Sequence, residues 1–366
     1  MTAKDILTPN TPSLGFGAMR LPDEAQTIQM VDAYLDGGYN YFDTAYAYGG
    51  SEELLKKTLV KRHPRSSYMV ANKLPSWSLR KPADCERILK ESLRRCGLDY
   101  FDFYLIHSLF DDDEKNVRDA GMFEWAFEQK KRGLIKHAGF SFHGTTPYLE
   151  RLFNRYPQSE FVYLQLNYVD VLRGNAGEWQ SLAIKHNKPI IAMEPVRGGT
   201  LAGLPAPAEA LLKARDPSRS IASWAIQYAA TLEGVTNVLS GMSNLAQVQD
   251  NLKTFRNLKP MTQDELDLLE NVLAEIGRVS NIACTACKYC HEHCPQGIDI
   301  AACIAMYNED KRNSAGSGWN RSMMYDVLPE GSRAGRCTSC GVCLKYCPQK
   351  VDIPLAMKGV AKAFGG

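Results

Sequence analysis

The sequence predicts an α/β fold in two parts: a (β/α)8 TIM barrel over residues 1–279, then a small, mainly helical domain over residues 280–366. Two observations carry this. Before Ser280, short β-branched or aromatic runs alternate with longer helical patterns. About eight such alternations over roughly 250 residues are the repeat of a closed parallel barrel. After Ser280, one cysteine run with fixed spacing occurs twice.

The strand-like pieces are Leu14–Met19, Tyr39–Phe42, Tyr68–Ala71, Phe101–Ile106, Ile135–Phe140, Phe161–Leu166, Pro189–Met193 and Asn237–Ser240. Helical patterns lie between them. Ala25–Asp36 places Ile28, Val31 and Leu35 on one face. Pro82–Cys96 opens with a proline in its first turn and stops before Gly97, the usual punctuation at both ends. Gly121–Arg132 carries Met122, Trp125 and Phe127 and stops at Gly133; Thr262–Gly277 is a further helix leading out of the barrel. A doubly wound sheet is disfavoured because no G-x-G-x-x-G follows the first strand. Gly15-Phe16-Gly17 comes too early for that role, with no phosphate-binding helix start behind it.

The cysteine run reads Cys284-x2-Cys287-x2-Cys290-x3-Cys294-Pro295, then Cys337-x2-Cys340-x2-Cys343-x3-Cys347-Pro348. This is the ligand spacing for two [4Fe–4S] clusters. The first three thiolates wrap one cube, and the fourth normally ligates the other. Cys284, Cys287, Cys290 and Cys347 are therefore assigned to one cluster, and Cys337, Cys340, Cys343 and Cys294 to the second. Zinc sites would need ligand pairs separated by a longer loop. His291 and His293 are read as residues covering a cluster rather than as ligands. The repeat resembles a ferredoxin-type domain. The long insert, with apolar Ile298–Tyr307 and a polar Asn313–Asn320, resembles the helical ferredoxin domains that feed electrons to reductases. Cys85, Cys96 and Cys303 sit in helical patterns and are expected to be buried and inert.

Bulk properties exclude other classes. With 43 basic and 41 acidic residues the net charge is +2, which points to neither nucleic acid nor membrane as a partner. No apolar run has transmembrane length. The N-terminus lacks the apolar core of a signal peptide, and eight thiolate ligands imply a reducing compartment. A cytoplasmic location is the expectation.

Barrel chemistry sits at the C-terminal strand ends, here Asp43, Lys73, His107, Ser141, Gln165, Glu194 and Ser240. The segments Asn40-Tyr-Phe-Asp-Thr-Ala-Tyr-Ala-Tyr-Gly49, Ala71-Asn-Lys-Leu74, Tyr104-Leu-Ile-His107 and Leu14-Gly-Phe-Gly-Ala-Met-Arg-Leu-Pro22 resemble those of the aldo-keto reductases. The resemblance implies a catalytic tetrad of Asp43, Tyr48, Lys73 and His107. Each alone has a plainer reading: a turn cap, a packing ring, a loop charge, a core histidine. Together they make chemical sense. Hydride reduction of a carbonyl needs a proton for the developing alkoxide. A lysine ammonium favours the phenolate of a nearby tyrosine. An aspartate aims the lysine, and a histidine donates to the substrate oxygen. The implied substrate is a small carbonyl compound or alcohol. Trp77, Tyr46, Phe110 and His143 suggest an aromatic-lined pocket.

The resemblance also implies an NADP or NAD site. Ser141 and Gln165 would hold the carboxamide, and Ser240, Gly241, Ser243, Gln247 and Asn251 the pyrophosphate and adenine. The pattern departs from the family in three places. Where the family usually shows a serine–asparagine pair, the run here is Gly139-Phe-Ser-Phe-His143. Ala192-Met193-Glu194-Pro195 offers no ring to stack on the nicotinamide, and Ser240–Asn244 offers no cation for a 2′-phosphate. Arg197 is the candidate cation. Iron–sulfur clusters move single electrons and this chemistry moves a hydride, so coupling them would need a two-electron to one-electron switch such as a flavin. Two other readings therefore stand beside the first: a flavin-dependent barrel exchanging electrons with the clusters, and a non-catalytic redox-sensing or docking subunit. A redox partner protein fits either.

Overall fold

The computed structural model describes residues 12–278, 290–312, 327–347 and 350–364, together with residues 7, 282, 284, 286, 288 and 325. Contacts divide it into two compact units. One comprises Met1–Pro195 and Ser223–Met261, the other Val196–Ala222 and Thr262–Gly366. The second unit is thus wider than the cysteine-bearing segment alone.

In the first unit eight strands close a barrel in sequence order: β1 (Ser13–Gly17), β2 (Tyr41–Asp43), β3 (Met69–Pro75), β4 (Phe101–Leu109), β5 (Ile135–Phe142), β6 (Val162–Gln165), β7 (Ile190–Met193) and β8 (Val235–Gly241). Every neighbouring pair is parallel, and β1 closes on β8 with Gly15 opposite Leu239. Both faces of such strands are covered, so they read as apolar runs without alternation. All five residues of β1 and all seven of β3 are buried. Tyr41, Met69, Ala71, Phe103, Leu105, Phe161, Tyr163, Ile191 and Leu239 form one of the barrel unit's buried clusters.

Strands β3 and β4 run further than the propensity pattern marks. Pairing continues through Lys73–Leu105 to Pro75–His107, so Lys73 and His107 stand within paired strands. Outside the barrel run α1 (Glu24–Asp36), α2 (Ser51–Leu55), α3 (Pro82–Cys96), α4 (Glu114–Asp119), α5 (Met122–Lys131), α6 (Thr146–Arg155), α7 (Tyr168–Arg173), α8 (Ala176–Lys185), α10 (Ile221–Thr231) and α11 (Leu245–Arg256). Asp23 caps α1 by accepting from Gln26 N at 2.9 Å. The buried face of α1 is Thr27, Met30, Val31 and Tyr34, rotated from the expected Ile28–Val31–Leu35 stripe. The cause is Tyr34, whose hydroxyl donates to Leu14 O at 2.7 Å and accepts from Tyr41 N at 3.2 Å. A hydroxyl with two such backbone partners can be buried at little cost. α3 ends at Gly97, which has φ +69, a left-handed cap that suits glycine.

In the second unit α9 (Ala206–Arg215) packs on α12 (Gln263–Arg278), and α13 (Ile300–Arg312) on α14 (Ile353–Phe364). Ile298, Ile304, Tyr325, Met357 and Val360 fill the core beside Cys290 and Cys343. The apolar stretch expected at Ile298–Tyr307 is helix α13. Asn313–Asn320 lies outside the described residues. No helix among the described residues is long and apolar enough to cross a membrane.

Candidate active site

Three adjacent parallel strands present the acid–base groups. Asp43 ends β2, Lys73 lies in β3 and His107 in β4. Asp43 and Lys73 are each 2% exposed. Lys73 Nζ pairs with Asp43 Oδ1 and donates to Thr44 O at 2.7 Å. A buried ammonium needs such partners to remain charged. Burial alone would pull the Lys73 ammonium down, but the Asp43 carboxylate and the Tyr48 phenol more than reverse this, and its pKa stands above the ordinary value.

Tyr48 follows β2, and its ring centroid lies 4.6 Å from Lys73 Nζ. Its ring meets His107 edge-on, with centroids 5.7 Å apart. The tetrad is thus gathered in one place. One expectation changes: burial pushes the Tyr48 phenol above 10 and outweighs the Lys73 ammonium, which draws it down. Tyr48 is therefore protonated at neutral pH. Burial, with Lys73 and His143 adding to it, holds His107 well below the usual histidine value. The neutral imidazole has a buried Nδ1 with no hydrogen-bond partner.

Beneath this group lies an arrangement that propensity did not mark. Tyr163 Oη donates to Asp43 Oδ2 at 3.0 Å and meets Tyr41 Oη at 2.5 Å. Strand parity was the available signal, since Tyr163 stands two residues before Gln165 and so shares its face. On the other side of β3, Asn72 accepts from Lys73 N at 2.6 Å and donates to the buried Glu52 at 2.8 Å.

Of the four expected aromatic pocket residues, Trp77 meets His107, and Phe110 and His143 meet each other. Trp77 lies 5.2 Å from the His107 ring, and Phe110 stacks on His143 at 5.3 Å. Burial holds His143 down at about 4, so it too is neutral. Tyr46 instead lies under the Arg95 guanidinium, 4.6 Å from its centre.

Several residues expected to hold a dinucleotide already have hydrogen-bond partners within the protein. Ser141 Oγ accepts from Ser108 N at 2.7 Å, which leaves its proton available for an outside acceptor. Gln165 donates to Asp170 at 2.6 Å, leaving its carbonyl oxygen as an acceptor. That pair has the right polarity for a carboxamide. Asn251 donates to Ser240 Oγ at 2.8 Å, and Gln247 Oε1 accepts from Ser243 N at 2.7 Å. Gly241 has open space where a Cβ would stand, and a phosphate could approach its backbone. No aromatic ring stands at Met193 or Glu194, and Glu194 adopts φ +54. In the second unit Arg197 pairs with Glu309.

There the thiols line two separate cavities. Cys294, Cys337, Cys340 and Cys343 share one; Cys284, Cys290 and Cys347 share the other. Cys287 lies outside the described residues. No three potential ligands among the described residues converge tightly enough for a single metal ion. Thiolates at the corners of a cube stand further apart than those around one zinc, so this donor set and its apolar walls fit clusters. His293 stacks on Tyr346 at 3.6 Å, and His291 Nδ1 lies 3.0 Å from Ile298 O.

Comparison with known proteins agrees with this geometry. The profile of the aldo/keto reductase family matches residues 13–274, and that of a 4Fe-4S dicluster domain matches residues 283–351. An uncharacterized oxidoreductase, YqkF, from Bacillus subtilis is 24% identical over 295 residues, covering 70% of this chain and 91% of that protein. L-galactose dehydrogenase of Arabidopsis thaliana is 27% identical over 297 residues, covering 74% and 92%. Among solved structures, the aldo-keto reductase AKR11C1 from Bacillus halodurans in its holo form superposes with a TM-score of 0.60 at 25% identity, covering 72% of this chain and 92% of that one. The chain is an oxidoreductase that belongs to the aldo/keto reductase family, with a 4Fe-4S domain following the barrel.

Proposed function

We propose that the barrel reduces a carbonyl group on a small organic molecule, or oxidises the corresponding alcohol, with Tyr48 as the proton donor. The observation that carries this is the buried Lys73–Asp43 pair set against the Tyr48 ring, beside a neutral histidine. Tyr48 holds the proton that the developing alkoxide needs. Lys73 stabilises the phenolate left behind, Asp43 keeps Lys73 charged and aimed, and His107 donates to the substrate oxygen. Ser141 and Gln165 would orient the carboxamide of NADP or NAD, with Ser240, Gly241, Ser243, Gln247 and Asn251 along its phosphates and adenine. A bound dinucleotide supplies or accepts the hydride. The thiols of Cys284, Cys287, Cys290 and Cys347 would hold one [4Fe–4S] cluster, and those of Cys337, Cys340, Cys343 and Cys294 a second. Such clusters supply one-electron chemistry.

The test is Tyr48→Phe, which removes one hydroxyl. Carbonyl reduction should fall by roughly 10²–10⁴-fold, the usual worth of a positioned general acid, with dinucleotide binding retained. Wild-type turnover in the variant would remove Tyr48 from the role.

The bare end of β7, where Met193 and Glu194 stand, favours a second reading: a flavin in the barrel passing electrons between substrate and clusters. The absorption spectrum of the purified protein separates the two. Flavin bands over the broad iron–sulfur absorbance, with neither dinucleotide binding, would favour the second.

A further inference from the structure

One buried cluster of the barrel is apolar except for two hydroxyls. Tyr41 on β2 and Tyr163 on β6 are both fully buried, among Met69, Ala71, Phe103, Leu105, Phe161, Ile191 and Leu239. A phenylalanine would fill either place, and a hydroxyl buried there costs stability unless it is hydrogen-bonded. Both hydroxyls are bonded, in a chain that ends on Asp43.

The direction of the chain follows from proton counting. Asp43 Oδ1 takes Lys73 Nζ, which leaves Oδ2 to accept from Tyr163 at 3.0 Å. Tyr163 has one proton and gives it to Asp43. Its oxygen must then accept from Tyr41, 2.5 Å away. Each donor polarises the next, and such bonds strengthen one another in a low-dielectric interior.

We propose that Tyr163, with Tyr41 behind it, is a positioning residue that holds Asp43 as a carboxylate and so keeps the proton of the pair on Lys73, beneath Tyr48. This rests on the reading of Tyr48 as proton donor. Without the Tyr163 hydroxyl, Asp43 loses an anion-stabilising bond and becomes the stronger base. It then draws the shared proton away from Lys73, the ammonium weakens, and the Tyr48 phenolate loses support. The other titratable groups that face the assembly are His107 on β4, with His143 acting on it, and Glu194 after β7. Asp102 and Tyr34 act on Tyr41. None of them bonds Asp43.

The experiment compares wild type, Tyr163→Phe and Tyr41→Phe, each with and without Tyr48→Phe. Two readouts are taken: the pH profile of 4-nitrobenzyl alcohol oxidation with NADP, and alkaline titration of phenolate absorbance. The difference within each pair isolates Tyr48 in the titration. Tyr163→Phe should move the Tyr48 ionisation and the oxidation limb upward by roughly one pH unit. Oxidation below that limb then falls roughly tenfold, with its alkaline plateau kept. Tyr41→Phe should shift both in the same direction by less, because Tyr163 keeps its bond to Asp43. Loss of activity by one factor at every pH, with the Tyr48 titration unmoved, would overturn the proposal and leave the hydroxyls structural. Wild-type oxidation in Tyr48→Phe would instead sink the proton-donor reading, and the titration would still decide Tyr163. If the alcohol is not oxidised at all, the titration decides alone.

Discussion

Tyr48 is under two opposed influences, and their balance sets the pH dependence. Burial pushes its phenol above 10, and Lys73 draws it back without winning. With Tyr48 as the proposed proton donor, reduction would consume the protonated form, so its rate should be flat through neutral pH and fall only when the phenol ionises in alkali. Oxidation needs the phenolate as base, so it should climb with pH, about tenfold per unit, until the same ionisation. Initial rates in both directions across pH check this; oxidation peaking near neutrality would contradict it. His107 adds no inflection in that range, because its imidazole is held well below the usual histidine value and stays neutral. Asp43 makes a further point at this scale. Asp43→Ala would leave the Lys73 ammonium buried and unpaired, a change costing about 3–5 kcal/mol. Thermal unfolding should register that loss, whereas Tyr48→Phe should leave the melting temperature nearly unchanged.

At the level of elements, the proposed dinucleotide site would draw on β8 and α11. Asn244 caps α11 by accepting from Gln247 N at 3.0 Å, and Gln247 in turn takes Ser243 N. A phosphate arriving there must displace a bond already made, so its net gain is smaller than at an open helix start. Ser240–Asn244 holds no cation, and Arg197 is paired with Glu309. A charge-assisted contact is worth about 1.5–3 kcal/mol, and an arginine that must first leave a carboxylate gains less. The protein should accordingly bind NADP no more than about tenfold better than NAD. Calorimetric titration with both measures it. A strong NADP preference abolished by Arg197→Ala would show that the arginine exchanges Glu309 for phosphate. A strong preference indifferent to that change would place the phosphate on residues not named here. The barrel itself was legible because parallel strands covered on both faces read as apolar runs, and all eight fell where those runs stood. What propensity missed was how far β3 and β4 continue, since Lys73, Pro75 and His107 are poor strand formers retained by pairing. The grouping of Asp43, Tyr48, Lys73 and His107 was implied by the resemblance to the aldo-keto reductases, with three of the four near successive strand ends. Tyr163 was not legible, because a tyrosine in an apolar strand looks like packing until its hydroxyl is seen on Asp43.

The whole chain carries an aldo/keto reductase barrel followed by a 4Fe-4S dicluster segment, and sequence distance is a poor guide to the second. Cys347 is four residues from Cys343 and far along the chain from Cys284 and Cys290, yet it lines the cavity of the distant pair. Cys294 likewise lines the cavity of Cys337, Cys340 and Cys343. The physical reason lies in the cysteine loops. Three thiols spaced by two residues turn toward one centre, and the fourth, beyond three intervening residues and just before a proline, is carried past it. Anaerobic reconstitution should therefore give about eight iron and eight sulfide per chain. Cys347→Ser should halve this by removing the cluster of Cys284, Cys287 and Cys290. Cys294→Ser should instead remove that of Cys337, Cys340 and Cys343. Each half-loaded variant can be assigned by combining it with Cys290→Ser or Cys343→Ser. If Cys347 serves the distant cluster, adding Cys290→Ser costs no further iron, while adding Cys343→Ser removes the remaining half. The opposite pattern would mean that each run holds its own cube, and that the cavities shared across the two runs do not define the ligand sets. Substantial zinc with little iron would reject the cluster reading for both runs.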